Sequence, residues 1–151
     1  MGSRSNQIEI QIVSRLKGIP SPLDFKKWLV AALPQPAELT LRVVNGVDGR
    51  QLNSGYRGKD YATNVLTFTY HVRNAPRLMG DIVLCAPVVA REAREQGKSL
   101  EAHYAHLTVH GALHLAGMDH EIKRAAAAME KTEISVLAKL GYQNPYALDG
   151  E

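Results

Sequence analysis

Residues 110–120 constrain the fold of this chain more than any other stretch. They read His-Gly-Ala-Leu-His-Leu-Ala-Gly-Met-Asp-His, with histidines separated first by four and then by six residues. Residues four apart lie on the same face of an α-helix, so His110 and His114 can point toward one position. Gly117 suits the left-handed conformation that ends a helix, because it has no Cβ. The chain can then reverse and return His120 to the same position.

Three converging imidazoles with one coordination position left open are typical of a catalytic zinc site, so the spacing predicts Zn²⁺ bound by these three histidines. Structural zinc sites normally use four protein ligands and are rich in cysteine, whereas the only cysteine, Cys85, is remote in sequence. Asp119 and Glu121 are the nearest candidates for a fourth protein ligand. Such a fourth ligand would favour a structural site over a catalytic one.

Other residues near the predicted ligands have different expected roles. His103 and His106 precede the ligands on the same helix; we expect His103 to be solvated and His106 to support a ligand or face the substrate. We expect Asp119 to orient a ligand, because metal-bound histidines commonly donate their second N–H to a carboxylate or carbonyl.

The spacing H-x-x-x-H-x-x-G-x-x-H is also that of the metzincin proteases, in which a glutamate follows the first histidine and serves as general base. Here Gly111 occupies that position. The base that a zinc peptidase needs is therefore absent from its expected place. Another kind of hydrolysis is favoured.

The pattern of apolar residues predicts an α+β fold: a small mixed β-sheet packed with helices, including a zincin-like histidine helix on one face. Strands are predicted near residues 8–12, 39–43, 64–70 and 80–86. Helices are predicted over 22–33, 48–57, 87–96, 100–116 and 121–140, with serines, prolines and glycines at their ends. Trp28 is expected in the core, and the charged residues of 91–95 on an outer helix face.

The chain has 151 residues, which suits one metal-dependent hydrolase domain over 1–151. Residues 1–7 are expected to be disordered or a remnant of expression. A single cysteine in an apolar run indicates a reducing compartment. No apolar stretch approaches the roughly 20 residues of a membrane span or forms a signal-peptide core, so we expect a cytoplasmic protein. The net charge of +3 is compatible with a polyanionic partner but decides little.

Several segments together resemble a known family. They are His106-Leu-Thr-Val-His-Gly-Ala-Leu-His-Leu-Ala-Gly-Met-Asp-His120, Leu52-Asn-Ser-Gly-Tyr-Arg57, Ala62-Thr-Asn-Val-Leu-Thr-Phe68 and Gly80-Asp-Ile82. This pattern is similar to that of the YbeY family, the single-strand-specific metal-dependent endoribonucleases of bacterial rRNA maturation. The match runs in order from about Leu39 to His120. Asn64 stands where the family often has Asp and Thr67 where it often has Ser, and neither is expected to touch the ligands.

The resemblance implies a zinc held by His110, His114 and His120, and a functional arginine at Arg57. Cleavage of a phosphodiester builds negative charge on the phosphoryl oxygens, and a guanidinium can hold two of them in a fixed fork. Because no glutamate follows His110, the metal is expected to supply much of the chemistry.

Basic side chains near the matched segments are the expected substrate-binding residues. They are Lys59, Arg73 and Arg77, which interleave with Tyr56, Tyr61 and Tyr70. A basic cleft with aromatic faces for stacking suits single-stranded nucleic acid.

The expected function is a zinc-dependent endoribonuclease of single-stranded RNA. The resemblance implies rRNA precursors and the ribosome as partners in rRNA processing and ribosome quality control, with no membrane and no DNA. One alternative is a metal-dependent hydrolase of another class, such as a peptidase. The other is a non-catalytic ribosome assembly factor that zinc merely stabilises.

Overall fold

The computed structural model describes residues 6–45, 64–70, 78–117 and 123–146. Within these ranges the strands are β1 (Gln7–Ile12), β2 (Ala37–Val44), β3 (Val65–Thr69) and β4 (Leu78–Cys85). The helices are α1 (Pro22–Ala32), α2 (Ala86–Gln96), α3 (Leu100–Leu115) and α4 (Lys123–Leu140). Each lies where the sequence predicted an element of its type, except that β1 begins at Gln7, within residues 1–7 that were expected to be disordered, and Asn6 Oδ1 accepts from Ala37 N at 2.8 Å. The helix predicted over 48–57 lies outside the described residues.

The strands form one mixed sheet in the order β1-β2-β4-β3. β1, β2 and β4 run parallel, and β3 is antiparallel to β4. Alternation along β2 places Leu39, Leu41 and Val43 on one face, which is almost inaccessible to solvent. Val44, Leu66 and Val83 form a second, smaller buried cluster. The predicted α+β fold with a small mixed sheet is confirmed.

Helix α3, which carries the histidines, is the central element of the described fold. It begins at the N-cap Ser99, whose Oγ accepts a hydrogen bond from Ala102 N at 3.0 Å, with Glu101 in its first turn. It contacts α1, α2, α4, β3 and β4, and most of its side chains are buried. No helix among the described residues has both the length and the apolar composition needed to cross a bilayer.

Two glycines let α3 and β3 lie close to β4. A Cβ at Gly80 would come within 2.6 Å of the Phe68 carbonyl oxygen and 2.7 Å of the Leu115 side chain. A Cβ at Gly111 would lie 3.2 Å from Ile82 Cγ2. Gly80 therefore excludes any side chain, because the Phe68 backbone cannot give way, whereas a side chain at Gly111 would require Ile82 to shift by a few tenths of an ångström.

One sequence prediction about exposure was wrong, and another, the charged outer face of 91–95, holds for Arg91, Arg94 and Glu95 but only in part for Glu92. His103, expected to be solvated, is only 3% exposed, and its Nε2 donates to Glu92 Oε1 at 2.9 Å. Glu92, expected on a charged outer face, is partly buried and also accepts from Asn64 Nδ2 at 3.1 Å. α3 is covered on nearly every side, so a polar residue in its first turns must find a partner inside the protein.

Candidate metal and catalytic site

His110 and His114 lie side by side near the end of α3. Their ring centroids are 6.5 Å apart and their planes are tilted by 33°. The helix ends just beyond them: Gly117 N donates to the His114 carbonyl at 3.1 Å, and Gly117 has a φ of 100°. The left-handed turn predicted at Gly117 is confirmed. His120, the third predicted ligand, lies outside the described residues together with Asp119.

Both histidines use the same ring nitrogen to contact the protein. His110 Nδ1 lies 2.8 Å from Glu133 Oε2, and His114 Nδ1 lies 3.0 Å from Thr67 Oγ1. A carboxylate only accepts, so His110 Nδ1 carries a proton, and in the neutral ring the lone pair is then on Nε2. Thr67 can accept as well, which allows the same tautomer at His114.

This donor set fits a bound metal ion. Metal-ligating histidines typically donate their other N–H to a carboxylate, carbonyl or similar group, which fixes the ring and its tautomer. His110 and His114 would therefore bind through Nε2. Within the part of the chain that the structure describes, no group of three or more His, Cys, Asp or Glu side chains is placed to hold a metal. The pair supplies two of the three predicted ligands.

The contact made by Thr67 corrects one sequence prediction. Positions 64 and 67 were expected not to touch the ligands, but the Thr67 hydroxyl contacts His114 directly. Threonine and serine both supply that hydroxyl, so the departure from the family pattern preserves the interaction. Asn64 instead donates to Glu92.

Glu133 is the functional residue that the sequence reasoning missed. Its side chain is completely buried, and it accepts hydrogen bonds from His110 Nδ1 at 2.8 Å, His106 Nε2 at 2.9 Å and Tyr146 Oη at 2.5 Å. Burial raises the pKa of Glu133, but these three hydrogen bonds outweigh burial and lower the pKa to about 2. The carboxylate is therefore an anion over the whole physiological range.

A signal for Glu133 was present in the sequence. Met129 and Leu137, four residues on either side, are both 1% exposed, so Glu133 stands in the middle of the buried stripe of α4. A glutamate at such a position needs partners inside the protein. The apolar residues of α4 were noted from the sequence, but the charge between them was not.

His106 lies one turn before His110 and shares its carboxylate. Its Nε2 is 3.2 Å from Tyr146 Oη, and the two rings meet edge to face at 5.2 Å. Burial and the Glu133 carboxylate both raise the pKa of Tyr146, so its hydroxyl remains protonated. His106, His110 and Tyr146 line a cavity of about 190 Å³ together with Asn64, Val65 and Leu107. His106 thus supports the predicted ligand His110 through their shared carboxylate, Glu133. The alternative role, that His106 faces the substrate, stays a prediction.

The residue after His110, the first predicted ligand, packs against the sheet. Gly111 is buried and faces Ile82 of β4 rather than the surface that His110 and His114 share. A glutamate there would enter the packed interface between α3 and the sheet. The structure thus gives a physical reason why this site lacks the general base of the metzincin proteases.

Comparison with known proteins agrees with this geometry. The family model described as Endoribonuclease YbeY matches residues 7–141. The chain belongs to the YbeY family. Its relatives include a protein named Endoribonuclease YbeY from Aromatoleum aromaticum, which is 60% identical over 128 residues, or 85% of this chain and 82% of that protein. Another of that name, from Stenotrophomonas maltophilia, is 55% identical over 139 residues, covering 86% of each chain.

The fold is also similar to that of a solved structure. The solution structure of TM1509 from Thermotoga maritima matches with a TM-score of 0.57 and 26% sequence identity, over 92% of this chain and 99% of that one. The resemblance to the YbeY family inferred from the sequence is confirmed, and membership implies a metal-dependent nuclease. The predicted roles of Arg57, Lys59, Arg73 and Arg77 concern residues outside the described ranges and stay predictions.

Proposed function

We propose that this protein is a zinc-dependent endoribonuclease that cleaves single-stranded RNA, chiefly rRNA precursors, in the cytoplasm. The observation that carries the proposal is the pair His110 and His114, each contacted at Nδ1 by a protein oxygen, in a chain of the YbeY family. We further propose that the chain acts as one hydrolase domain, with a role in ribosome maturation and quality control.

His110, His114 and His120 would hold the zinc ion. Three neutral imidazoles suit zinc. Because the Nδ1 atoms of His110 and His114 each contact a protein oxygen, Nε2 remains as the metal-binding atom of both rings. When bound, the metal supplies Lewis acidity to the scissile phosphate. Glu133 and Thr67 hold the imidazole rings in place, and Asp119 is proposed to do the same for a neighbouring ligand.

The remaining roles belong to basic residues. The Arg57 guanidinium would hold the phosphoryl oxygens as negative charge develops on them, which is worth more in the transition state than in the ground state. Lys59, Arg73 and Arg77 would neutralise neighbouring phosphates of the strand. The exposed Tyr70, which follows β3, offers a ring on which a base can stack.

The decisive experiment compares labelled single-stranded RNA with a matched duplex, using protein of known zinc content. We expect the single strand to be cut and the duplex spared. Arg57→Ala should retain zinc and lose more than about 100-fold in cleavage rate, as expected for a group that stabilises developing charge. Arg91→Ala, on the exposed side of α2, is the matched control and should cleave normally.

Two other outcomes would contradict the proposal. A protein that holds stoichiometric zinc and binds RNA but cuts nothing would be a ribosome assembly factor that zinc stabilises. A protein that cuts a peptide substrate but no RNA would be a hydrolase of another class, although the packing around Gly111 argues against it.

A further inference from the structure

The burial of Glu133 requires an explanation beyond helix packing. Transferring a carboxylate from water into a protein interior costs several kcal/mol unless hydrogen bonds compensate. Here the compensation comes from His106 and His110 of α3 and from Tyr146, six residues after the end of α4. Two of the three donors belong to the histidine helix. The charge is therefore placed where it acts on the predicted metal site.

The two carboxylate oxygens have separate partners. Oε2 accepts only from His110 among the described residues, while Oε1 accepts from His106 and Tyr146. The contacts to Oε1 fix the plane of the carboxylate, so Oε2 stays at one position relative to the His110 ring. A carboxylate with hydrogen bonds to both of its oxygens can hold the His110 imidazole in one orientation.

We infer that Glu133 is a positioning residue for the metal ligand His110. It keeps the proton on Nδ1 and aims Nε2 at the metal position. Because Tyr146 also donates to Glu133, the packing of the segment that carries Tyr146 affects the orientation of the His110 ring. The inference rests on the proposed function only in assuming that His110 binds metal. It assigns no contact between Glu133 and the substrate.

Glu133→Gln tests this role while preserving the shape of the side chain. Glutamine has one accepting oxygen where glutamate has two, so it cannot accept from His110 and from His106 with Tyr146 at the same time. Glu130→Gln is the matched control, because Glu130 lies on the exposed side of the same helix. Both proteins should first be compared with wild type by circular dichroism and thermal unfolding.

Zinc affinity is the first measurement, made by competition with a chromogenic chelator. Loss of a hydrogen bond that orients a metal ligand typically weakens binding by 10- to 100-fold. We therefore expect Glu133→Gln to bind zinc about 10- to 100-fold more weakly and Glu130→Gln to bind it as wild type does. Tyr146→Phe, which removes one contact to Oε1 but keeps Oε2, should lose less than about tenfold.

The second measurement is made on zinc-free protein by ¹⁵N spectroscopy of the histidine rings, with His110→Gln used to assign the signals. Wild type should show His110 protonated at Nδ1, and Glu133→Gln should show a mixture of tautomers. A wild-type His110 protonated at Nε2 would overturn the inference even if Glu133→Gln failed to fold. So would unchanged zinc affinity in folded Glu133→Gln. Neither readout uses RNA, so a protein that cleaves no RNA would contradict the proposed function alone.

Discussion

Helix α3 carries three histidine–carboxylate contacts among the described residues. Two of them, His103 with Glu92 and His110 with Glu133, lie about two turns apart and differ in which ring nitrogen meets the carboxylate. His103 contacts Glu92 through Nε2, and its Nδ1 is buried without a hydrogen-bond partner among the described residues. His110 contacts Glu133 through Nδ1, which directs Nε2 away from that carboxylate. The first ring is 3% exposed and the second 24%.

The comparison shows that a histidine–carboxylate contact does not by itself indicate a metal ligand. At His103 the remaining nitrogen is enclosed by the core, so the pair acts only within the fold. The side chain of His110 is 24% exposed, and its remaining nitrogen, Nε2, is the atom proposed to bind the metal. The ring nitrogen that meets the carboxylate therefore separates a core histidine from a candidate ligand, and His106, which meets Glu133 through Nε2, resembles His103 in this respect.

The largest predicted difference between the pairs is in activity. His110→Gln should abolish stoichiometric zinc binding and reduce RNA cleavage by more than about 100-fold, because one of three ligands is lost. His103→Ala should retain both zinc and activity at temperatures where it is folded. Zinc analysis and a cleavage assay on the two variants, side by side, check this. Equal losses in both would remove the distinction between the pairs.

Protein stability should depend more on His103 than on His110. His103→Ala should lower the free energy of unfolding by about 2 to 3 kcal/mol, because it removes a hydrogen bond to a carboxylate and leaves a cavity. Urea unfolding of zinc-free protein measures this without a contribution from the metal. Glu95→Ala, on the exposed side of α2, serves as the comparison and should cost well under 1 kcal/mol. A similar loss in both variants would mean that His103 has no special place in the core.

A smaller effect is expected at His114, the second proposed ligand that the structure describes. Thr67→Val removes the hydroxyl that contacts His114 Nδ1 and preserves the shape of the side chain, so zinc affinity should fall by about tenfold. Thr67→Ser retains a hydroxyl and should stay within about threefold of wild type. Chelator competition distinguishes the two variants. If both bind zinc equally, the Thr67 contact does not orient His114.

The smallest effect concerns pH. Burial lowers the pKa of His103 below its usual 6.5, the interaction with Glu92 opposes this, and Lys98 and His106 lower it further. A histidine with a lowered pKa takes up its proton first in the unfolded state, so its contribution to stability is complete above about pH 6.5 and falls as the pH decreases. The difference in the free energy of unfolding between zinc-free wild type and His103→Ala should therefore decrease as the pH is lowered from about 7.5 to about 5.5, by at most about 1 kcal/mol. A constant gap would show that His103 titrates normally.

Local sequence patterns predicted most of the described fold. Alternation in β2, the serine caps of α1 and α3, and Gly117 after the histidines are short-range signals, and the structure agrees with them. The order β1-β2-β4-β3 could not be predicted, because strand pairing depends on contacts between residues distant in sequence.

The residues that support the proposed ligands could not be predicted either, because they too are distant in sequence from the residues they contact. Thr67 lies 47 residues from His114, and Glu133 lies 23 residues from His110, the histidines they contact. Spacing along one helix identified His110 and His114, but it carries no information about which strand or helix lies opposite their Nδ1 atoms. The exposure of His103 was misjudged because periodicity shows which face a residue shares, not how many neighbours cover the helix.

The packing of the only tryptophan offers a way to follow this architecture without labels. Trp28 is 2% exposed, and its ring meets that of Tyr142 edge to face at 6.1 Å. Tyr142 comes just after α4, four residues before the tyrosine that contacts Glu133. Intrinsic fluorescence therefore reports on the segment that carries Tyr142 and Tyr146. If this segment separates from the core, the Trp28 indole becomes exposed to water and its emission shifts to longer wavelength.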